Sequence, residues 1–316
     1  MVATQSVEER TPGVSGPRTI LGIRLIRRRP ELSIVVVAHA MTRELPRTLL
    51  SLTRPYQRGV DAVDYEIVVV DNGSPEPVEL PAGLDPQPRL IRLDPAPASP
   101  VYAARTGVDA ARAPVLTLVL DGARMVTPGA VAAALQAVRQ YPGEPGAAVT
   151  TPAWHLGHEH QSVSIRNGYG PAAEDAMLAD IDWIAHGYRL FDVASLAGSN
   201  PRGVLDPPNE SCFLTLTREL WDRVGGLDER FDLPGGGYAN LDMWVRLLEA
   251  GAEPVVLLGE GSFHQVHGGV STRPDCDPAP WLAQYERLRG RPYSRPVYQP
   301  TFVGRICDRT RRWLVA

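Results

Sequence analysis

The chain has 316 residues, 44% hydrophobic and 22% charged, with a formal net charge of −4 and a pI near 6.0. Those values suit one large soluble domain or two small ones and exclude a broadly basic, nucleic-acid-coating surface. No apolar run approaches the roughly 20 residues of a transmembrane helix. Nothing after Met1 has the apolar core of a signal peptide, and Cys212, Cys276 and Cys307 are too few and scattered for a disulfide framework or a zinc site. A cytoplasmic location is expected.

Residues 1–30 read as a polar tail ending in the basic run Arg24 to Arg29, a solvated arm able to touch an anionic membrane surface. Order begins at Leu32, and Ser33 to Val37 is a strand without polar alternation, as expected when both faces are covered. Thr42 is placed to cap a helix from near Arg43, whose Leu45, Leu49 and Leu52 share one face. Residues 55–64 form a loop. Ile67 to Val70 is a second buried strand, and Asp71-Asn72-Gly73-Ser74 is the turn that leaves it. Strand, helix and strand over this length imply a right-handed parallel unit.

A Pro-rich loop spans 75–88, Arg89 to Leu93 is a third strand, and Val101 to Arg112 is helical. Val115 to Leu120 is a fourth buried strand that also ends in an acid and a small residue, Asp121-Gly122. A helix follows over Pro128 to Gln140, then a strand near Ala147 to Thr151. Residues 152–208 change character, with His155, His158, His160, Trp154 and Trp183, and read as a partly irregular insertion over the sheet edge. A strand over Cys212 to Leu216, a helix over Arg218 to Val224, a Gly-rich loop at 235–237, a helix from about Leu241 to Ala250 and a strand over Pro254 to Leu258 complete the pattern. The loop after that strand carries His264 and His267. One amphipathic stretch, Pro280 to Leu288, lies in a Pro-rich, basic C-terminus. In open sheets of this kind, ligands bind beyond the carboxyl ends of the strands, where Asp71 and Asp121 stand.

The blocks EIVVVDNGSPEP, ARTGVDAARAPVLTLVLDGARM and GGGYANLDMWVRLLEAGAEPVVLLGEGSFHQVHGG, in that order, resemble glycosyltransferase family 2 over about residues 32–270. The resemblance implies a GT-A fold: an α/β, Rossmann-like, mostly parallel sheet with helices on both faces. Its nucleotide-binding half would be 31–125 and its acceptor-side half 152–270, within a domain of 31–272 followed by an extension over 273–316. It also implies that Ala38, His39, Asp71, Asn72, Arg105, Asp121 and Gly122 lie along the nucleotide. Asp121 would be the first acid of a DxD motif holding Mn2+ or Mg2+, with His264 or His267 completing the metal shell.

Two positions depart from that pattern. Ala123 stands where the second DxD acid is expected, and Ala239-Asn240 where a Glu-Asp pair would supply the base. Asp242 and Glu210 are the remaining candidates for the base. Asp242 also suits the first turn of a helix with Arg246 one turn on. Trp154 and Trp183, with Tyr188, are candidates to stack on an acceptor sugar. The three closely spaced histidines at 155–160 have no nearby fourth zinc ligand and read as an acceptor-facing or solvated loop.

The expected activity is sugar transfer from a UDP- or dTDP-linked donor to a hydroxyl acceptor, with inversion. The missing acids keep open a catalytically reduced domain that binds a nucleotide sugar as a regulatory or partner subunit. A nucleotidyltransferase is the third alternative, against which stands the lack of a Gly-rich phosphate loop after the first strand.

Overall fold

Ile34 and Val36 of strand β1 (Leu32–Ala38) belong to one apolar layer, Val35 and Val37 to the other, and all four are buried. This explains the apolar run Ile34 to Val37: a strand covered on both faces takes apolar residues without alternation. The computed structural model describes residues 29–273 and 275–314. The tail expected over 1–30 therefore falls outside the described residues apart from Arg29 and Pro30.

Strands β2 (Tyr65–Asp71), β3 (Arg89–Arg92) and β4 (Val115–Val119) join β1 in parallel, in the order β3-β2-β1-β4. The sheet continues through β9 (Leu214–Thr217), β6 (Ala147–Thr150), β10 (Glu253–Leu258) and β12 (Thr301–Gly304). Only β9 runs antiparallel to its neighbours in this eight-stranded sheet. Helices α1 (Glu44–Leu52) and α3 (Ala130–Gln140) bury Leu45, Leu49, Val131 and Leu135 on one face. Helices α2 (Val101–Ala110), α6 (Arg218–Arg223), α7 (Ala239–Glu249) and α8 (Ala279–Arg289) bury Val108, Trp221, Trp244 and Tyr285 on the other. Each such side chain contributes about 1.5–3 kcal/mol by leaving water. This is the expected α/β architecture, a mostly parallel central sheet with helices on both faces. One glycine decides how closely α2 can approach: a Cβ at Gly107 would lie 2.4 Å from Val35 Cγ1.

Three expectations change. Thr42 does not cap α1, whose N-cap is Arg43 and has no side-chain cap bond. Most of 152–196 is regular, while 197–208 is an irregular loop. Strands β5 (Arg124–Val126), β7 (Ala153–Leu156), β8 (Ala194–Leu196) and β11 (Ser262–His264) form a second sheet in the order β5-β11-β7-β8. Helices α4 (Gln161–Arg166) and α5 (Pro171–Asp180) fill the same region. Strands of three or four residues are too short for a period of two to show in sequence. Trp154 and Trp183 are also not acceptor platforms. Trp154 stacks on Phe263 at 6.2 Å and meets the edge of Phe191 at 5.2 Å, and Trp183 meets Tyr56 at 5.5 Å, all within one buried aromatic cluster. The C-terminal stretch supplies an edge strand of the main sheet, β12, as well as the expected helix.

Candidate active site

Asp121 follows the carboxyl end of β4, and its turn is pressed against the end of β1. A Cβ at Gly122 would lie 3.0 Å from the Val37 carbonyl and 3.1 Å from Ala38 Cβ. Ala123 then enters the core, fully buried, with its N–H donating to Asp121 Oδ1 at 2.9 Å and its carbonyl accepting from Gln265 N at 2.8 Å. The position where a second acid was expected is thus a packing position. An aspartate there would put a carboxylate among Val119, Val126 and Phe213, away from water.

The second sheet brings histidines to this turn. Register pairs His264 of β11 with Arg124 of β5 on one side and His155 of β7 on the other. His264 Nε2 lies 2.8 Å from Asp121 Oδ2, His267 Nε2 lies 3.4 Å from the same oxygen, and the two Nε2 atoms are 3.1 Å apart. On its far side, His264 Nδ1 lies 2.5 Å from Gln161 Oε1, a contact that fixes the orientation of the ring. Gln161 N in turn donates to His155 Nδ1 at 3.1 Å. Three ligand atoms on Asp121, His264 and His267 converge within 4.8 Å.

The Asp121 carboxylate favours a positive charge at the centre of this cluster. Burial pushes the Asp121 carboxyl up, but His267 and His264 outweigh it and hold it well below the ordinary carboxylate range. Burial pulls His264 down to about 4 despite Asp121. His267 ends above its ordinary value, because Asp121 outweighs the opposing burial. A proton on His267 can serve, and so can a divalent cation. Two imidazoles and one carboxylate fit a first-row transition ion such as Mn2+ better than Mg2+. Arg124 lies beside the cluster, half-buried, with Nη1 buried and unpartnered among the described residues.

Glu210 arrives at the same edge from the antiparallel neighbour of β4. Leu118 pairs with Leu214, so the segment leading into β9 comes in at the carboxyl end of β4. The thiol of Cys212 reports the grouping: burial pushes it up to about 12, with Arg124 opposing and Glu210 and Asp121 adding. Glu210 is half-buried, and its Oε2 accepts from Asn240 Nδ2 at 2.9 Å. Asn240, at a position where the resemblance implies an acid, thus binds Glu210 instead.

The other candidates are placed as follows. Ala38 ends β1, and its carbonyl accepts from Asn72 N at 2.8 Å. His39 is exposed, with Nδ1 donating to the Asn72 carbonyl at 3.0 Å, and Asn72 Oδ1 is buried without a partner among the described residues. Asp71 is fully buried and committed to its own loop. Its oxygens accept from Ser74 N at 2.9 Å, Val78 N at 3.4 Å and Arg92 Nη1 at 2.7 Å. Arg105 points away from this edge, donating to the carbonyls of Gly225 and Leu227 at 2.8 and 2.9 Å and pairing with Glu229 at 2.7 Å.

Asp242 is not placed to act as a base. It is 1% exposed and accepts from Arg246 Nε at 2.7 Å, Arg289 Nη2 at 2.7 Å and Arg289 Nε. Of the histidines at 155–160, His155 is buried against His264, its ring 5.7 Å away, while His158 is exposed.

Two residues that the sequence did not single out hold the site. Gln161 bridges His264 and His155. Glu174 accepts from Val266 N at 2.8 Å and pairs with Arg43 at 2.9 Å, which fixes the loop carrying His267. A buried acid on a helix of low amphipathicity leaves no signal in sequence that separates it from a solvated one.

No family model matches the chain, and no curated protein matches it. Among solved structures it is similar to TarS of S. aureus, at 10% identity and a TM-score of 0.44, over 75% of this chain and 35% of that one. It is similar also to residues 1–349 of TarS in complex with UDP, at 11% identity and a TM-score of 0.43, over 75% of this chain and 58% of that one. The chain thus spans about a third of the one structure and somewhat over half of the other.

Proposed function

We propose that the chain transfers a sugar from a nucleoside-diphosphate donor, UDP- or dTDP-linked, to a hydroxyl acceptor with inversion. The observation that carries this reading is the convergence of Asp121, His264 and His267 at the carboxyl end of β4, with Glu210 on the loop before the adjoining strand, its Oε2 held by Asn240. Those three residues would hold a divalent cation, which when bound neutralises charge on the leaving diphosphate. Arg124 adds a fixed positive charge beside them, suited to phosphate oxygens. Gln161 and Glu174 keep the histidines oriented.

Glu210 is the base. The acceptor oxygen forms its bond to the anomeric carbon, the bond from that carbon to the diphosphate oxygen breaks, and the acceptor proton passes to the Glu210 carboxylate. Asn240 donates to one Glu210 oxygen and leaves the other for that proton. The nucleoside would lie toward His39 and Asn72, at the ends of β1 and β2. No helix among the described residues is long and apolar enough to cross a membrane.

A thermal-shift panel of UDP, dTDP, GDP and CMP with and without Mn2+ tests the reading. One nucleotide should raise the unfolding temperature in the presence of Mn2+, by mass action, and His267→Ala should abolish the Mn2+ dependence. An unresponsive protein across the whole panel would overturn it.

A further inference from the structure

Glu210 lies on a loop whose preceding residues are each held by one segment of the C-terminus. Arg295 Nη2 donates to the carbonyl of Ser199 at 2.9 Å, to Asp206 Oδ2 at 3.1 Å and to the carbonyl of Pro207 at 2.6 Å. The Tyr298 hydroxyl donates to the carbonyl of Pro208 at 2.5 Å. The Tyr293 hydroxyl accepts from Asn209 Nδ2 at 3.4 Å. Positions 206, 207, 208 and 209 are thus engaged in turn, and the next residue is Glu210. The same strap reaches the other side of the carboxylate, because Trp244 Nε1 donates to the Tyr298 hydroxyl at 3.1 Å and Trp244 stands on α7, the helix whose Asn240 binds Glu210. Farther along, Val204 N donates to the Trp313 carbonyl at 2.8 Å, so the loop is also tied near its start.

We propose that Tyr293–Tyr298 is a positioning strap for the base, with Arg295 and Tyr298 as its two positioning residues. This rests on the assignment of Glu210 as base. A loop rich in proline and glycine, with no regular structure between Leu196 and Leu214, has no ladder of its own to fix a side chain to the tolerance that in-line transfer requires. The strap supplies that constraint from outside. It is itself anchored by β12, which enters the central sheet beside β10 a few residues later. The three Arg295 bonds all come from one nitrogen, so a lysine keeps a cationic donor directed at the same acceptors, whereas alanine removes it.

The test has two arms on the full chain. Hydrogen exchange is measured first for the wild type, Arg295→Ala, Tyr298→Phe and Arg295→Lys. Amides over 203–213 should exchange at least about tenfold faster in the first two variants, with little change in the Lys variant, while amides over 115–126 and 262–267 keep their rates. Unchanged exchange over 203–213 would overturn the strap. The second arm measures UDP release from UDP-glucose with Mn2+ against pH. In Arg295→Ala and Tyr298→Phe, kcat should fall about tenfold or more with KM within about twofold. The pH limb assigned to the base should move, and Arg295→Lys should restore both. An unmoved pH limb with full kcat would overturn the positioning role. If the wild type binds no nucleotide, it is the proposed function that fails, and the exchange arm still decides whether the strap orders the loop.

Discussion

Replacing Asp242 separates a structural acid from a catalytic one. The sequence offers Asp242 and Glu210 as equals, but their surroundings differ. Asp242 is 1% exposed and holds Arg246 and Arg289, whose side chains are only 20% and 16% exposed, and Arg289 also binds Asp228 at 2.8 Å. Asp242→Ala strands two guanidiniums in a mostly buried site. Removing one partner of a buried pair costs about 3–5 kcal/mol, and the residual solvent contact of the arginines, together with the Asp228 contact, argues for the lower end, about 3 kcal/mol. For a chain this long that is a fall in Tm of about 6 °C, at about 2 °C per kcal/mol. Calorimetry on Asp242→Ala and Glu210→Gln, with UDP release from UDP-glucose measured on the same samples well below the new Tm, gives the comparison. Asp242→Ala should unfold earlier yet keep turnover per folded molecule within a few-fold. Glu210→Gln should keep its Tm and lose turnover by about 100-fold or more, within the range of general base catalysis. An Asp242→Ala protein with an unchanged Tm and no turnover would refute the reasoning.

Mn2+ uptake should strengthen as pH rises through the elevated titration of His267, because its proton must leave before the nitrogen can bind the ion. Without metal the sign reverses. A histidine raised by its partner adds stability below its unfolded value, and that stability fades as pH rises through the folded one; paired Mn2+ titrations and unfolding curves across this interval check both. Glu260 accepts from Tyr188 at 2.9 Å and from Thr127, at the start of α3, and burial pushes its carboxyl up against those contacts. Glu260→Gln should therefore be mild, while Glu260→Ala should cost about 1–3 kcal/mol by leaving donors unpaired, read by denaturant unfolding. Asp71→Ala should cost a similar amount, about 1–3 kcal/mol, because Ser74 N, Val78 N and Arg92 lose their acceptor. A nucleotide affinity that falls more than tenfold at an unchanged Tm would show instead that Asp71 serves the ligand.

The local pattern of the chain determined the sheet. Buried β-branched runs ending in Asp71 and Asp121, spaced by helices with one apolar face, admit few solutions besides a parallel, doubly covered sheet, because each unbroken apolar strand must be hidden on both sides. The same pattern marked the carboxyl ends at Asp71 and Asp121 as candidate ligand positions, while the family resemblance pointed to His264 and His267 and left Glu210 as one of two candidate bases. Local pattern could not say which acid is free. Asp242 and Glu210 differ only in what packs around them, and Arg289, which neutralises Asp242, is 47 residues away in sequence. Likewise Trp154 and Trp183 look the same in sequence whether they face a sugar or fill a core. Strands β5, β7, β8 and β11 are too short to register, yet their pairing places Arg124, His264 and His155 in one row. Tertiary structure alone decided these points, because hydrogen bonding and burial depend on partners that the chain brings back from far along its length.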